Sequence, residues 1–237
     1  MMARNEQKSM LAALIGLQLF AAAVLLQLAV PASAGELGTP QALLFDAPYL
    51  KQLTVPSALN YSYRHSTSAE KTFGKPFVDT IAVNVAKNDK PGGLNSVMLR
   101  MFSGNRQRDL GPHVDITGNP IIMVFLERDL WEMKRRVGGE PVYYRNMIRR
   151  AFRNAAKVEK NMAEFNGQNI PVQTVTIMPF TGEKDRASMR TLLNKSYEFT
   201  VAEVVPGGIL KIRSTVPAEH DGNAALVSDE LAFVGIE

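Results

Sequence analysis

Alternation of apolar and polar residues predicts strands in the first half of the chain. Leu59, Tyr61 and Tyr63 alternate with polar neighbours over residues 59–65. Residues 77–87 repeat the pattern with Ile81 and Val83 on one face, and a Pro-Gly-Gly turn leads into a third such segment at residues 96–102. A period of two with one polar face is typical of half-buried antiparallel strands. We therefore predict an antiparallel meander here.

Helical patterns occupy the middle of the chain. Residues 127–136 place acidic residues early and basic residues late, an order that suits the helix dipole, and residues 142–156 carry an apolar stripe. The preceding run, residues 121–126, is apolar on both faces and fits either a central strand or a buried helix entry. A short helix is expected at residues 43–53.

Strand patterns return after residue 157. Residues 162–165 and 170–178 flank an Asn-Gly pair, which predicts a hairpin, and further strands are expected at residues 197–201, 209–216 and 225–236. Because the strands form groups around a helical centre, the predicted fold class is α+β. We expect a twisted, mainly antiparallel sheet of about seven to nine strands packed against two central helices.

The first 34 residues have the pattern of an export signal. Arg4 and Lys8 precede a long uncharged, apolar run that ends in Ala32-Ser33-Ala34. A positive start, an apolar centre and an Ala-x-Ala end are the parts that a signal peptidase requires. We predict a signal peptide at residues 1–34, cleaved after Ala34, and one periplasmic or secreted domain at residues 35–237. The alternative is an uncleaved anchor, because the run is long enough to span a bilayer.

Composition narrows the classes of function. The 237 residues include no cysteine, which excludes disulfides, thiolate metal sites, a cysteine nucleophile and a lipid-modified N-terminal cysteine. Phosphate-binding and dinucleotide-binding glycine motifs are absent from the sequence. We predict no cofactor and no metal site, and we favour a protein that is not an enzyme.

Positive charge is concentrated in one segment. Residues 134–160 contain nine basic and two acidic residues, whereas the whole chain has a formal charge of only +4. Arg145, Arg149, Arg153 and Lys157 recur every four residues and would line one side of the predicted helix. They are candidates for binding an anionic partner such as lipid headgroups or lipopolysaccharide phosphates. The alternative is a solvated face, neutralised by carboxylates, whose arginine stems cover apolar surface. Nucleic acid is disfavoured, because no binding motif accompanies the charge.

Two further groups of residues have alternative explanations. His113 and Asp115 could place two polar groups on one strand face, and a hydrolase that uses them is the rival hypothesis for function. Large soft side chains recur where sheet and helix should meet, and they would either fill the core, which we favour, or line an adaptable lipid cavity. This second group comprises Met98, Met101, Phe102, Met123, Phe125 and Trp131.

The order of these elements resembles that of a known protein family. A signal peptide, a leading helix, antiparallel strands, a helical insertion and more strands, without cysteine, resemble the curved half-barrel of periplasmic lipid-binding proteins of the LolA/LppX type. Tyr197-Glu-Phe-Thr followed by Val205-Pro-Gly-Gly is also similar to a unit of proteobacterial exported proteins. The resemblance implies that the concave face of the sheet binds an acyl chain, with Tyr61, Tyr63, Val83 and Phe199 among its lining residues.

These observations lead to one main hypothesis of function. We expect a non-enzymatic periplasmic binding or accessory protein for a hydrophobic or amphipathic ligand, or for an anionic envelope partner. Membrane contact after cleavage would be peripheral at most. Besides the hydrolase, the alternative is a structural envelope protein without a small ligand.

Overall fold

Nine strands form one open antiparallel sheet in the computed structural model, which describes residues 38–88, 95–183, 187–218 and 223–237. The order across the sheet is β4-β3-β2-β1-β9-β8-β7-β6-β5, so that β4 and β5 are its edges. The strands are β1 Ser57–Thr67, β2 Phe77–Ala86, β3 Ser96–Met101, β4 Arg108–His113, β5 Lys157–Phe165, β6 Gln168–Ile177, β7 Ser196–Val201, β8 Ile209–Val216 and β9 Val227–Ile236. The predicted α+β class is confirmed.

The sheet consists of two meanders joined at its centre. Strands β1 to β4 pair in sequence order on one side, and β5 to β9 do so on the other. The first and last strands close the junction, with Tyr63 opposite Leu231 in the β1–β9 pair. The described residues group as one compact unit.

Two helices occupy the connection between the meanders. They are α2, Ile121–Val137, and α3, Pro141–Asn154, and a single turn, α1, spans Glu70–Phe73. The Asn119 side-chain oxygen accepts a hydrogen bond from the Ile121 amide at the start of α2. Gly138, with φ of 78°, follows the last residue of α2. Its left-handed backbone suits a residue without Cβ and ends the helix.

One face of the sheet and the inner faces of the helices form the main core. Burial alternates along β1 and β2, as the sequence predicts, and Phe125, Leu130 and Ile148 of the helices pack into the same cluster. Removing this apolar surface from water is the main contribution to stability in a domain of this size. The sequence pattern and the packing therefore agree.

A buried polar cluster ties α2 to the sheet. Lys195 Nζ lies 3.1 Å from Asp129 Oδ1 and 2.6 Å from Ser214 Oγ, and Tyr197 Oη donates to Asp129 Oδ2 at 2.5 Å. Asp129 is on α2, while Lys195, Tyr197 and Ser214 lie before or in β7 and β8. Because each charge has partners, burial is tolerated, and the cluster fixes the position of α2.

Several sequence expectations need correction. Residues 121–126 begin α2, so the buried-helix interpretation holds and the strand interpretation is wrong. The helix expected at residues 43–53 is interrupted at Ala47–Pro48. It forms a short π-helix, Ala42–Asp46, and a short 3-10 helix, Tyr49–Gln52. Pro48 cannot donate a backbone hydrogen bond, which explains the break. Two further 3-10 turns are Gly104–Arg106 and Ala187–Leu192.

The positive stripe is also not one helix face. The helix α3 ends at Asn154, and Lys157 is the first residue of β5, where it pairs opposite Thr176. The strand pairing with β6 continues to Phe165, and Asn166-Gly167 forms a two-residue turn with positive φ at both positions. The spacing of four residues predicts that the helix continues to Lys157. In the structure the chain from Lys157 onward pairs as a hairpin instead.

The predicted signal peptide and its cleavage after Ala34 lie outside the described residues. Within residues 38–237, apart from the three gaps, no helix is long and apolar enough to cross a membrane.

Candidate functional site

An open cavity of about 1160 Å³ lies between α2 and the first meander of the sheet. Its lining comes from α2, β1 to β4 and the segments that connect them. Apolar side chains form much of this lining: Phe73, Phe77, Met101, Phe102, Leu110, Ile116, Met123, Val124 and Trp131. The volume exceeds the roughly 300–1000 Å³ of pockets that hold drug-sized ligands. The cavity therefore has room for a ligand with a long apolar part.

The helix α2 takes part in both the core and the cavity. Ile122 and Phe125 point into the closed core, whereas Met123, Val124 and Trp131 belong to the cavity lining. Residues 123, 127 and 131 are spaced by four and so share one side of the helix. One helix thus covers the core with one face and lines the cavity with another, on which the apolar Met123, Val124 and Trp131 lie among charged side chains.

An aromatic cluster lies beside the cavity. The rings of Tyr63 and Phe102 meet edge to face at 5.0 Å, and Phe77 and Phe102 do so at 5.8 Å. Phe102 follows β3 with φ of 62°, a conformation that costs a residue with a side chain about 1–2 kcal/mol. Packing of its ring against Tyr63 and Phe77 offsets that cost. The backbone turn at Phe102 thereby directs a large apolar side chain into the lining.

Arginines lie over this aromatic cluster. The Arg128 guanidinium is 4.7 Å from the centre of the Tyr63 ring, and that of Arg106 is 4.4 Å from the centre of the Phe77 ring. Arg106 also binds Asp79 through Nε and Nη2, at 3.2 and 3.1 Å. A guanidinium on an aromatic face is stabilised by the ring quadrupole and stays available to an anion at its edge.

The charges of the lining are mostly positive. The described lining residues include two acidic side chains, Glu127 and Glu132, and six basic ones, Lys75, Arg106, Arg108, Arg128, Arg135 and Arg136. Glu132 accepts bonds from both Arg135 and Arg136. Lys75 and Arg108 are exposed, and neither forms an ion pair with a described residue. The cavity therefore combines an apolar lining with an excess of positive charge.

A buried histidine connects the cavity to the centre of the sheet. His65 Nδ1 lies 2.7 Å from Asp229 Oδ1, and His65 Nε2 lies 3.0 Å from the Phe73 carbonyl oxygen. Both neighbours are oxygen acceptors for the ring nitrogens. Tyr63 Oη donates to the same Asp229 oxygen at 2.5 Å, and Arg128 Nη1 lies 3.8 Å from it. The cluster thus brings His65, Tyr63 and Arg128 to one carboxylate.

The pKa of Asp229 follows from these contacts. Burial acts to raise the pKa, but the hydrogen bonds from His65 and Tyr63 and the charge of Arg128 outweigh burial. The net result is a pKa below the ordinary value of an aspartate. Asp229 is therefore the ionised centre of this cluster.

The residues that the resemblance suggests as ligand-lining lie in the closed core. Tyr61, Tyr63, Val83 and Phe199 are all 0% exposed, and the cavity is lined by other residues. Tyr61 Oη accepts a hydrogen bond from Asn119 Nδ2 at 2.8 Å. These four side chains support the sheet on which the helices pack, and Tyr63 contacts the lining residues Phe77, Phe102 and Arg128.

The four basic candidates are divided between two environments. Arg145 Nε and Nη2 bind the Glu127 carboxylate at 2.8 and 2.7 Å, which joins α3 to α2. This bond raises the pKa of Arg145 and fixes its side chain. Arg149, Arg153 and Lys157 are exposed and form no ion pair with a described residue.

The proposed hydrolase residues lie at the edge of the sheet. His113 ends the edge strand β4, is exposed and lines the cavity, whereas Asp115 is exposed in the following turn and accepts a bond from Asn88 Nδ2 at 2.9 Å. Among the described residues, no group of three or more His, Asp or Glu side chains is arranged to hold a metal ion.

The strongest sequence signal for the cavity is the group of soft and aromatic residues. Four of its six members, Met101, Phe102, Met123 and Trp131, line the cavity, while Phe125 is in the core. The position of the arginines in one lining carries no local signal, because Arg106, Arg128 and Arg136 come together only through the packing of α2 on the first meander.

Comparisons with known proteins give a distant likeness of fold. No family model matches the chain, and no curated protein matches it in sequence. Among solved structures, the chain is similar to the lipoprotein LppX of Mycobacterium tuberculosis, at 13% identity and a TM-score of 0.29. The alignment covers 78% of this chain and 87% of that one. At this level of similarity, function has to be argued from the residues of the cavity.

Proposed function

We propose that the protein is a non-enzymatic binding protein that holds an anionic, amphipathic molecule in the cavity beside α2. The observation that carries this proposal is an apolar cavity of about 1160 Å³ whose charged lining is mainly basic. The ligand class is a molecule with at least one acyl chain and a phosphate or carboxylate headgroup.

The chemistry of the lining supports both parts of this ligand. Each methylene group that leaves water for an apolar site contributes about 0.8 kcal/mol, and Phe77, Phe102 and Val124 supply such a surface. Arginine and lysine side chains bind phosphate and carboxylate groups by charge-assisted hydrogen bonds. Lys75 and Arg108 are exposed at the cavity and form no ion pair with a described residue, so a headgroup would not have to displace a protein carboxylate.

The proposed location is outside the cytoplasm, because residues 1–34 have the pattern of an export signal. In that compartment the protein would keep the acyl chain of its ligand away from water. Binding requires no chemical step.

The test is binding of single-chain lipids to the delipidated protein by titration calorimetry. A lysophospholipid with an anionic headgroup, lysophosphatidylglycerol, should bind more tightly than zwitterionic lysophosphatidylcholine, both below their micellar concentrations. Val124→Phe narrows the cavity beside α2 and should weaken binding about tenfold, because the bound acyl chain must repack around the larger ring.

The matched control is Val142→Phe, the same exchange at an exposed position of α3. This variant should bind the lysophospholipid as the parent protein does. Failure of the parent to bind either lipid would contradict the proposal and favour a structural envelope protein. Equal effects of the two variants would show that binding occurs elsewhere.

A second site is supported by the exposed side of α3. We propose that Arg149 and Arg153, continued by Lys157 at the start of β5, bind an anionic component of the envelope. The supporting observation is that these three side chains are exposed without an ion pair to a described residue, whereas Arg145 is bound to Glu127.

A further inference from the structure

The only tryptophan of the sequence lies at the opening of the cavity. Trp131 is 58% exposed, which is unusual for the largest apolar side chain. Met123, two turns earlier on the same side of α2, is 44% exposed, and Leu110 of the edge strand β4 is 36% exposed. Three large apolar side chains from two elements are thus presented to solvent around one opening.

Positive side chains lie near these apolar residues. Lys134 Nζ lies 5.7 Å from the centre of the Trp131 ring, and Arg135 follows one turn after Trp131 on α2. Arg108 is two residues before Leu110 on β4, so both side chains lie on the same side of the strand. We call Trp131, Met123, Leu110, Lys75, Arg108 and Arg135 the mouth of the cavity.

The chemistry of the mouth fits the surface of an anionic bilayer. Tryptophan is enriched at the level of the lipid headgroups because its ring is apolar while its N–H is polar. Lysine and arginine beside it are attracted to anionic lipids and keep their charges at the headgroups while their stems cover apolar surface. The mouth therefore matches the bilayer in both charge and polarity.

Ligand transfer gives a physical reason for such contact. An acyl chain that crosses water between a bilayer and the cavity loses about 0.8 kcal/mol for each exposed methylene group. A mouth placed against the bilayer would let the chain slide from one apolar environment into the other. This reason rests on the proposed function, while the surface chemistry of the mouth does not.

We infer that the mouth of the cavity is a membrane-docking surface, by which the protein contacts an anionic bilayer with Trp131 at the level of the headgroups. Binding would be peripheral and reversible.

The experiment measures co-sedimentation of the protein, without its signal segment, with vesicles. One set contains phosphatidylglycerol and phosphatidylcholine in equal parts, and the other contains phosphatidylcholine alone. The parent protein should sediment with the first set and much less with the second. Trp131, as the only tryptophan, should shift its emission to shorter wavelength and be quenched by lipids brominated near the headgroup. Absence of the shift and the quenching, or equal binding to both sets, would overturn the proposal.

Variants locate the contact. Lys75→Gln and Arg108→Gln should each weaken binding about fivefold, the effect of about 1 kcal/mol for a cation near an anionic surface. Trp131→Ala and Met123→Ala should weaken it as well. The charge control is Lys51→Gln, and the apolar control is Met162→Ala, both exposed residues outside the mouth. Equal losses in the mouth variants and the controls would overturn the proposal.

Two further variants separate docking from ligand binding. Val124→Phe should bind the lysophospholipid more weakly and still sediment with anionic vesicles, because the larger ring narrows the cavity and leaves the mouth intact. If Val124→Phe loses both, vesicle binding reflects capture of lipid in the cavity and docking is overturned. If Arg149→Glu with Arg153→Glu abolishes sedimentation and the mouth variants do not, the membrane-facing surface is α3 instead.

Discussion

At the scale of single residues, the cluster around Asp229 shows how the cavity and the core are connected. Asp229 is buried on β9 and holds His65 and Tyr63 of β1, while Arg128 reaches it from α2. The same Arg128 lies over the Tyr63 ring and lines the cavity. A carboxylate in the core thus holds in place a guanidinium that a ligand headgroup can approach.

The first prediction at this scale concerns acid unfolding. The pKa of Asp229 is lower in the folded protein than in the unfolded chain, so its contribution to stability is fully present above the unfolded value of about 4 and is lost as pH falls through the lower, folded value. Asp229→Asn should remove this part of the pH dependence. It should also lower the free energy of unfolding at neutral pH by about 3 kcal/mol, since Arg128 and His65 lose their buried partner.

Urea unfolding of both proteins across the acidic range measures this difference. Asp109→Asn is the matched control, because Asp109 is exposed and its ion pair with Arg100 is at the surface, where such pairs contribute about 0–1 kcal/mol. An Asp229→Asn protein that loses stability with acid as steeply as the parent would contradict the assignment.

At the scale of elements, the sequence predicts those whose pattern is complete within one segment. Strands β1 and β2 alternate cleanly because one face packs against the core, and the Asn166-Gly167 turn follows from two residues that accept positive φ. The edge strand β4 is missing from the prediction. All six of its residues are exposed, and Pro112 lies within it, so it has neither alternation nor strand composition.

The elements around the cavity also include features that a local sequence pattern predicts and features that it does not. Residues 121–126 are apolar on both faces, and the sequence alone does not decide whether they form a strand or a helix. The structure shows a helix with the core on one side and the cavity on the other, which explains why both faces are apolar. The sequence predicts the β5–β6 hairpin but begins its first strand at residue 162, whereas in the structure the pairing starts at Lys157, soon after α3 ends at Asn154. Cavity formation depends on distant segments, so it could not be predicted locally.

A prediction at this scale compares two glycines in turns. Gly167 and Gly208 both have φ of 75°, but a Cβ on Gly167 would meet no atom within 4 Å, whereas one on Gly208 would lie 2.3 Å from the Tyr49 ring. Gly167→Ala should cost about 1–2 kcal/mol from backbone strain alone. Gly208→Ala should cost about 1–3 kcal/mol more, because the Tyr49 ring must move. Thermal and urea unfolding measure both.

The comparison contains its own control, since the two variants share the backbone strain and differ in the contact. Tyr49→Ala in the Gly208→Ala background should reduce the difference between them. Equal losses for Gly167→Ala and Gly208→Ala would mean that the turn after β7 does not depend on packing against Tyr49.

At the scale of the whole molecule, the charge of the segment 134–160 is less uniform than the sequence suggests. Lys134 pairs with Glu140, Arg135 and Arg136 pair with Glu132, and Arg145 pairs with Glu127. The exposed bases without an ion pair to a described residue include Arg149, Arg153 and Lys157 on the side of α3 and β5, and Lys75 and Arg108 at the mouth. Two separate positive surfaces therefore remain, and each can be changed without the other.

The last prediction uses this separation to test the α3 surface against an anionic envelope component. Arg149→Glu with Arg153→Glu should weaken binding to immobilised lipopolysaccharide about tenfold or more, because two attractive charges become repulsive while the fold keeps its Arg145–Glu127 bond. Lys51→Glu with Lys71→Glu makes the same change of charge at exposed positions elsewhere and should have a smaller effect.

Binding by the parent protein should weaken as salt is raised, since exposed charges are screened over about 10 Å at 0.1 M ionic strength. The α3 variant should lose most of that dependence on salt. Surface plasmon resonance at several salt concentrations measures both quantities, with circular dichroism to show that the variants are folded. A folded α3 variant that binds as tightly as the parent, with the same response to salt, would remove this surface from the proposal and leave the mouth of the cavity as the candidate contact for anions.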